Sequence, residues 1–289
     1  MRRVDNQPFG ILHWRAIFVR SFVALGGLWT VVELVTSFAG NLLEEEDRLY
    51  AMGALFLLSI VIGVSWVWQA NRQTSFRLRG TQTELTIRFG DAFTYVSNLV
   101  VPVNAYFDHA VGERLPVSEK SMHGQLITMM THEAFRKQVD AALRSVDSSK
   151  IAAMEPDRQV GQAAPTTRYE LGTVAVIDHE GSRYNLVAVA NTETKDHVAT
   201  TTLPEIFMAL SSAWETVART GDDRKLTLPL IGGGFAKVRV DPEHLLDILI
   251  ASIVEYTLRE GRIASEIEIV LPVKYRQRIR CYNVKAEWS

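Results

Sequence analysis

Two apolar runs open the chain. Ser21 to Ala39 carries one charge, Glu33, and Leu49 to Ala70 carries none. Each approaches the ~20 residues that a helix needs to cross a bilayer. Between them lies an acidic stretch, Asn41 to Arg48, with Glu44, Glu45, Glu46 and Asp47. So short a connection predicts a hairpin of two transmembrane α-helices over 16–70, after a cytoplasmic segment, 1–15. Arg2, Arg3, Arg15 and Arg20 precede the first run, Arg72, Arg77 and Arg79 follow the second, and the loop has only Arg48. The positive-inside rule then puts both termini in the cytoplasm, a two-pass topology. Trp14, Trp66 and Trp68 fall where an interfacial belt would place them. The competing reading is a signal peptide plus a core helix, but the first run is long for a signal segment.

Past a polar, basic linker, 71–82, the periodicity changes. TELTIRF opens a domain at about 83, with Thr86 to Phe89 as a strand broken by Gly90-Asp91 and a short helix after it. Leu99 to Val103 is a short apolar run, the mark of a strand buried on both faces. Asn104 sits just past it. A polar loop runs to Ser121, and His123 and Gly124 lead into a helix whose stripe is Phe135, Val139, Ala142, Leu143 and Val146. Ser145 to Thr166, rich in Ser, Ala, Pro and Gln, reads as a mobile surface excursion. Tyr169 to Ile177 and Tyr184 to Ala190 form a hairpin around HEGSR. Thr202 to Glu205 is a capping box before a helix that Gly221 stops. Leu226 to Ile231 is another buried strand, Asp241-Pro242 caps a second apolar helix, and Ile267 to Leu271 is a late strand. The tail from Arg276 is expected as an edge strand. The pattern predicts an α/β domain over 83–289, a mixed sheet between helix layers.

Composition narrows the chemistry. At 289 residues and net charge −2, no global field selects nucleic acid. The lone Cys281 excludes an internal disulfide framework. His132-Glu133 fails as a zinc motif because Arg136 holds the second histidine position, so no metal is expected. No nucleophile elbow and no supported Cys/His pair occur, so no catalytic residue is assigned.

The candidate ligand residues fall where strands end, the rim at which open α/β sheets bind ligands. Asp91, with Ala92 beside it, follows the first strand and is either a turn residue or an acceptor. Asn104 is either a strand-end turn or a ligand contact, and Asp108 and His109 share its loop. His123 is a packing residue or a further contact. Gly232, Gly233 and Gly234 follow a buried strand, where glycine lets backbone N–H groups form an anion nest. No Lys-Ser or Lys-Thr follows them, so they are no Walker motif. Phe235 stacks on a ring or plugs the core. In the first membrane run, Glu33 is either a polar seam or pore wall, or it reaches the outer interface about 9 Å along the helix.

Gly90-Asp91, the VVPVN run ending at Asn104 and LPLIGGGF from Leu228 to Phe235 together resemble a macro domain over about 83 to 272. With the hydrophobic segments in front, the chain resembles the membrane-anchored macro-domain effectors of type II Thoeris anti-phage systems. The resemblance implies that Asp91 accepts from an adenine amine, that Asn104 faces the distal ribose and that the glycines hold a diphosphate. It implies a bacterial inner-membrane protein with no cofactor. Its ligand would be an ADP-ribose derivative, histidine-linked, made from NAD by a TIR-domain enzyme. Homo-oligomers would then rearrange and breach the membrane lipid, causing cell death or growth arrest. AYFDHAVG replaces the glycine-rich run of ADP-ribosyl-hydrolysing macro domains, which weighs against an enzyme. The alternatives are a membrane-anchored ADP-ribose reader and an ADP-ribosyl hydrolase.

Overall fold

The structure, a computed structural model, describes residues 11–39, 45–70, 73–94, 96–113, 115–158, 165–192, 199–233, 238 and 240–289. It divides into two compact units, Met1–Gln73 and Thr74–Ser289.

The first unit holds α1 (Ile11–Ala39) and α2 (Glu45–Ala70). In α1, the 19 residues Ile17–Val35 have a mean hydropathy of 1.6 and none is buried, so this stretch is long and apolar enough to cross a membrane. The described apolar stretch of α2 is shorter, Tyr50–Trp66. Residues Glu45, Glu46 and Asp47 belong to the first turn of α2 rather than to a loop. Phe18, Phe22, Val31 and Leu34 on α1 and Phe56, Leu57, Val61 and Val64 on α2 are all exposed. Glu33 is likewise on the exposed surface of α1. The two helices approach closely at one seam. A Cβ on Gly63 would stand 2.1 Å from Ser21 Oγ and 2.9 Å from Ser21 N. Beside it, Arg20 lies 5.5 Å from the centre of the Trp66 ring.

The second unit is built on strands β1 (Gln73–Arg77), β2 (Glu84–Phe89), β3 (Asn98–Asn104), β4 (Ile151–Met154), β5 (Thr167–Tyr169), β6 (Val174–His179), β7 (Ser182–Thr192), β8 (Ala199–Thr200), β9 (Leu226–Pro229) and β10 (Glu266–Leu271). Its helices are α3 (Met122–Met130), α4 (His132–Leu143), α5 (Leu203–Thr220), α6 (Pro242–Arg259) and α7 (Cys281–Trp288). The main sheet has the order β1-β2-β10-β9-β3-β7-β6, with β8 on β7. Strands β2, β10, β9, β3 and β7 run parallel to their neighbours in that order, and β6 is antiparallel to β7.

Each sheet face has its own core. On one, Leu85, Ile87, Leu226, Leu228, Ile267 and Ile269 pack under α5 and α6, where Trp214 is fully buried and its indole N–H donates to Ser252 Oγ at 3.2 Å. On the other, Leu99, Val101, Leu186 and Ala188 pack under Leu126, Ile127, Phe135 and Val139 of α3 and α4. Burying one such aromatic or aliphatic side chain stabilises by about 1.5–3 kcal/mol. Both long helices are capped as expected. Thr202 Oγ1 accepts from Glu205 N, Glu205 Oε2 accepts from Thr202 N at 2.7 Å, and Asp241 Oδ1 accepts from Glu243 N at 3.3 Å. The β6–β7 turn is Glu180-Gly181 with φ of 50° and 79°, a twist that fits the hairpin.

Five sequence expectations change. The linker 71–82 contains β1, because Phe76 is buried and anchors a strand that is otherwise polar. No helix follows Asp91; the described residues there form a turn. The strand expected over Tyr169 to Ile177 is two strands, since β5 leaves the main sheet to pair with β4. The excursion Ser145 to Thr166 therefore carries ordered structure outside its undescribed part, 159–164. The tail forms α7, because Cys281 and Val284 pack into the core on one helical face.

A test of the helical seam follows from the Gly63 geometry. Ser21→Cys with Gly63→Cys should form an intramolecular disulfide on mild oxidation, since a Cβ at Gly63 would stand only 2.9 Å from Ser21 N and a small widening of the seam brings the pair to disulfide geometry. Cys281 does not compete, being buried with its thiol pushed up to about 11 by desolvation. A reductant-sensitive band on a non-reducing gel reads the product; its absence disproves the seam.

Candidate functional site

Parallel strands put their carboxyl ends on one edge, and that edge holds a cavity of about 430 Å³. Val103 and Asn104 from β3, Val189 and Ala190 from β7, Pro229 from β9 and Val270 from β10 form its base. Gly90 to Phe93 after β2 form one wall, and Leu230, Gly232 and Gly233 after β9 form another. Pro116 to Gln125, the approach to α3, closes the third side. Pro272 and Lys274 follow β10 at the rim.

Asp91 is exposed and held by its own turn. Its Oδ1 accepts from Phe93 N at 3.0 Å, and its carbonyl accepts from Arg88 Nη1 at 3.3 Å. Among the described residues, Oδ2 makes no hydrogen bond, so the acid keeps an acceptor for a ligand donor. Ala92 is buried beside it. Asn104 is 5% exposed and sits where the β3–β7 register slips by one residue. The turn that follows closes with Phe107 N donating to Asn104 O at 3.0 Å. Phe107 has φ 53°, strained for a residue with a side chain. Its burial edge-on to Tyr169, 5.6 Å between ring centres, offsets that strain.

Gly232 requires glycine on two grounds. Its φ is +86°, and a Cβ would stand 2.8 Å from Ile206 Cδ1. The next carbonyl, of Gly233, accepts from Tyr275 Oη at 2.6 Å. Gly234 and Phe235 lie outside the described residues.

His123 lies inside the first turn of α3, 4% exposed, on the cavity wall. Ser121 caps that helix by accepting from Gly124 N at 3.0 Å. Gly124 has no room for a side chain, since a Cβ would meet Ser118 O at 2.2 Å. Burial pushes the His123 imidazole down to about 3, and nearby His109 adds a smaller push. His123 is therefore neutral at pH 7. Its Nε2 is buried without a hydrogen-bond partner among the described residues. Such an atom costs about 1–3 kcal/mol until something meets it.

Asp108 and His109 were expected at the ligand, but neither lines the cavity. Asp108 is drawn away by Arg158, which binds both its carboxylate oxygens at 2.7 Å. His109 is half-buried, and desolvation lowers its imidazole below the usual range. Lys120 and Lys274 line the cavity and were not singled out from sequence. Lys274 was findable, since it follows β10 at the edge where all the other contacts gather. Among the described residues no cluster of His, Cys, Asp or Glu is arranged to hold a metal ion.

A mixed α/β sheet with this cavity at its carboxyl edge is the architecture of a macro domain. Residues 85–272 match the family described as Thoeris protein ThsA, Macro domain, and the chain belongs to that family. Among solved structures it is similar to a mutant macrodomain of Oceanobacillus iheyensis, at 12% identity over 74% of this chain and 96% of that one, with a TM-score of 0.47. The macrodomain of Mycobacterium tuberculosis DarG is 13% identical over 64% of this chain and 97% of that one, with a TM-score of 0.39. A Trypanosoma brucei macrodomain is 9% identical over 70% of this chain and 65% of that one, with a TM-score of 0.39. No curated protein matches the chain.

The neutral, buried His123 makes stability pH-dependent. Its folded pKa lies below the unfolded value of 6.5, so the unfolded chain binds the proton first. The contribution is intact above pH 6.5 and is lost as pH falls toward about 3. At pH 5 the loss from this group is about 2 kcal/mol. Urea midpoints at pH 7 and pH 5 should therefore differ less for His123→Phe than for the natural protein. Equal differences refute this burial.

Proposed function

We propose that the protein is a ligand-gated membrane effector whose macro domain binds an ADP-ribose-derived signal. One observation carries this reading. Within a chain of the ThsA macro-domain family, a single cavity wall-to-wall combines an acid with a free acceptor, a buried amide, a glycine turn and two lysines. Asp91 would accept from an adenine amine, a charge-assisted bond. Backbone N–H groups at Gly232 and Gly233, with Lys120 and Lys274, suit a diphosphate.

The signal would come from a TIR-domain enzyme that consumes NAD, with histidine-linked ADP-ribose as the ligand of choice. The hairpin α1–α2 would cross the bacterial inner membrane twice, both termini cytoplasmic, and self-association would let bound subunits rearrange and disrupt the lipid. The apolar surface of both helices and the close seam at Ser21 and Gly63 support that part. Gating requires the signal to bind the active assembly more tightly than the resting one. The protein acts here as a sensor without turnover.

The full chain in detergent micelles tests the reading by thermal stability against NAD, ADP-ribose and amino-acid conjugates of ADP-ribose. A ligand at a hundredfold its Kd adds about 2.7 kcal/mol. The expected result is stabilisation by an ADP-ribose conjugate, weakened about 10- to 100-fold in Asp91→Ala. The same ligand should release dye from liposomes carrying the natural protein, and should be recovered intact. No stabilisation by any of these nucleotides sinks the sensor, and hydrolysed ligand moves the reading to an enzyme.

A further inference from the structure

Asn104 is the cavity's most constrained polar contact. Its Oδ1 accepts from the backbone N–H of Tyr106 and of Asp108, each at 3.2 Å. Its Nδ2 donates to Asp108 Oδ2 at 2.9 Å. An asparagine amide has two N–H donors, so one remains. The carboxylate beside it can only accept, so the amide cannot turn over. Asn104 therefore meets a ligand as a donor.

What holds Asp108 comes from 50 residues away. Arg158 binds the carboxylate through Nη1 and Nη2, both at 2.7 Å, and both side chains are 1% exposed. The same guanidinium donates to Pro165 O at 2.8 Å and lies 3.6 Å from the centre of the Tyr106 ring. Tyr106 Oη donates to Glu155 Oε2 at 2.6 Å, and Arg168 pairs with Glu155 at 3.2 Å. The Arg158 fork on Asp108, its stacking on Tyr106 and the Tyr106–Glu155 bond thus all bear on the same short loop after β3. A planar fork matched to a carboxylate fixes orientation in a way that a lysine cannot.

We propose that Arg158 is a positioning residue for ligand binding. It clamps Asp108, and Asp108 holds the Asn104 amide with a single N–H donor toward the cavity. The inference rests on the ADP-ribose reading above. The ligand atom that Asn104 takes is then an acceptor: a hydroxyl, carbonyl or phosphate oxygen.

Two measurements on the full chain in micelles test it. The first needs no ligand. Hydrogen exchange of the peptide spanning residues 104–109 reports the two N–H groups that donate to Asn104 Oδ1. In Arg158→Lys that peptide should lose protection while the strands β9 and β10 keep theirs. Should Arg158→Lys lose protection throughout, the pair Arg158→Met with Asp108→Leu removes both charges together and leaves no buried charge unpaired. Unchanged protection at 104–109 in a folded variant overturns the proposal. The second is a double-mutant cycle on ADP-ribose affinity. Arg158→Lys should weaken binding about tenfold, and adding Asn104→Ala should cost only roughly twofold more. Asp91→Ala should instead add its full cost. Additive costs at Asn104 overturn the proposal. A natural protein that binds no ADP-ribose defeats the ligand reading alone, and the exchange measurement then decides the role of Arg158.

Discussion

Everything at the cavity depends on parallel strand pairing. Five neighbouring strands, β2, β10, β9, β3 and β7, end at one edge because each pairs in parallel with the next. Parallel pairing demands crossover connections and cover on both faces. The helices meet both demands: α5 and α6 cover one face, and α3 and α4 cover β3 and β7 on the other. The same requirement makes the strands read as continuous apolar runs. A core built this way leaves its polar work to the loops beyond the carboxyl ends.

Those loops differ in how they are held. Asp91 is fixed by bonds within three residues of itself, from Arg88 and Phe93. Asn104 is fixed by contacts that reach across 50 residues. Local turns are cheap to form and easy to move. A buried bidentate pair is neither, because loosening one partner strands the other in a medium that penalises bare charge.

This contrast also explains what the sequence disclosed. β2, β3, β9 and β10 were legible because β-prone or apolar runs of strand length carry their own signature, and the Thr202–Glu205 box announced α5. β1 was not, since Gln73–Arg77 is polar except for Phe76, as an edge strand is when one face meets solvent. The tail gave no clear period, and its helix follows from contacts of Cys281 and Val284 with a distant core. The positions of Asp91, Asn104 and Gly232 could be read because each follows a legible strand. The pairing that buries Asp108 beside the cavity was not legible because its partner, Arg158, sits in a stretch whose composition reads as loop. Composition reports what a segment cannot bury alone and is silent about an arginine that meets a carboxylate elsewhere.

A sensor gains nothing from contacts that are the same in every state, since a ligand moves an equilibrium only through differential affinity. In the proposed sensor, an Asn104 held by Asp108 and Arg158 would supply selectivity, one donor in a set place. The differential part must then come from elements that can move at small cost. Asp91, exposed and held only by its local turn, is of that kind. The glycine turn is not, since Gly232 is hemmed in by Ile206 and Leu245 and the Gly233 carbonyl accepts from Tyr275 Oη. In the proposed sensor this division would put recognition at the base of the cavity, where β3 ends. Response would fall to the wall at Gly90-Asp91, which continues directly from β2, the strand that pairs with the edge strand β1.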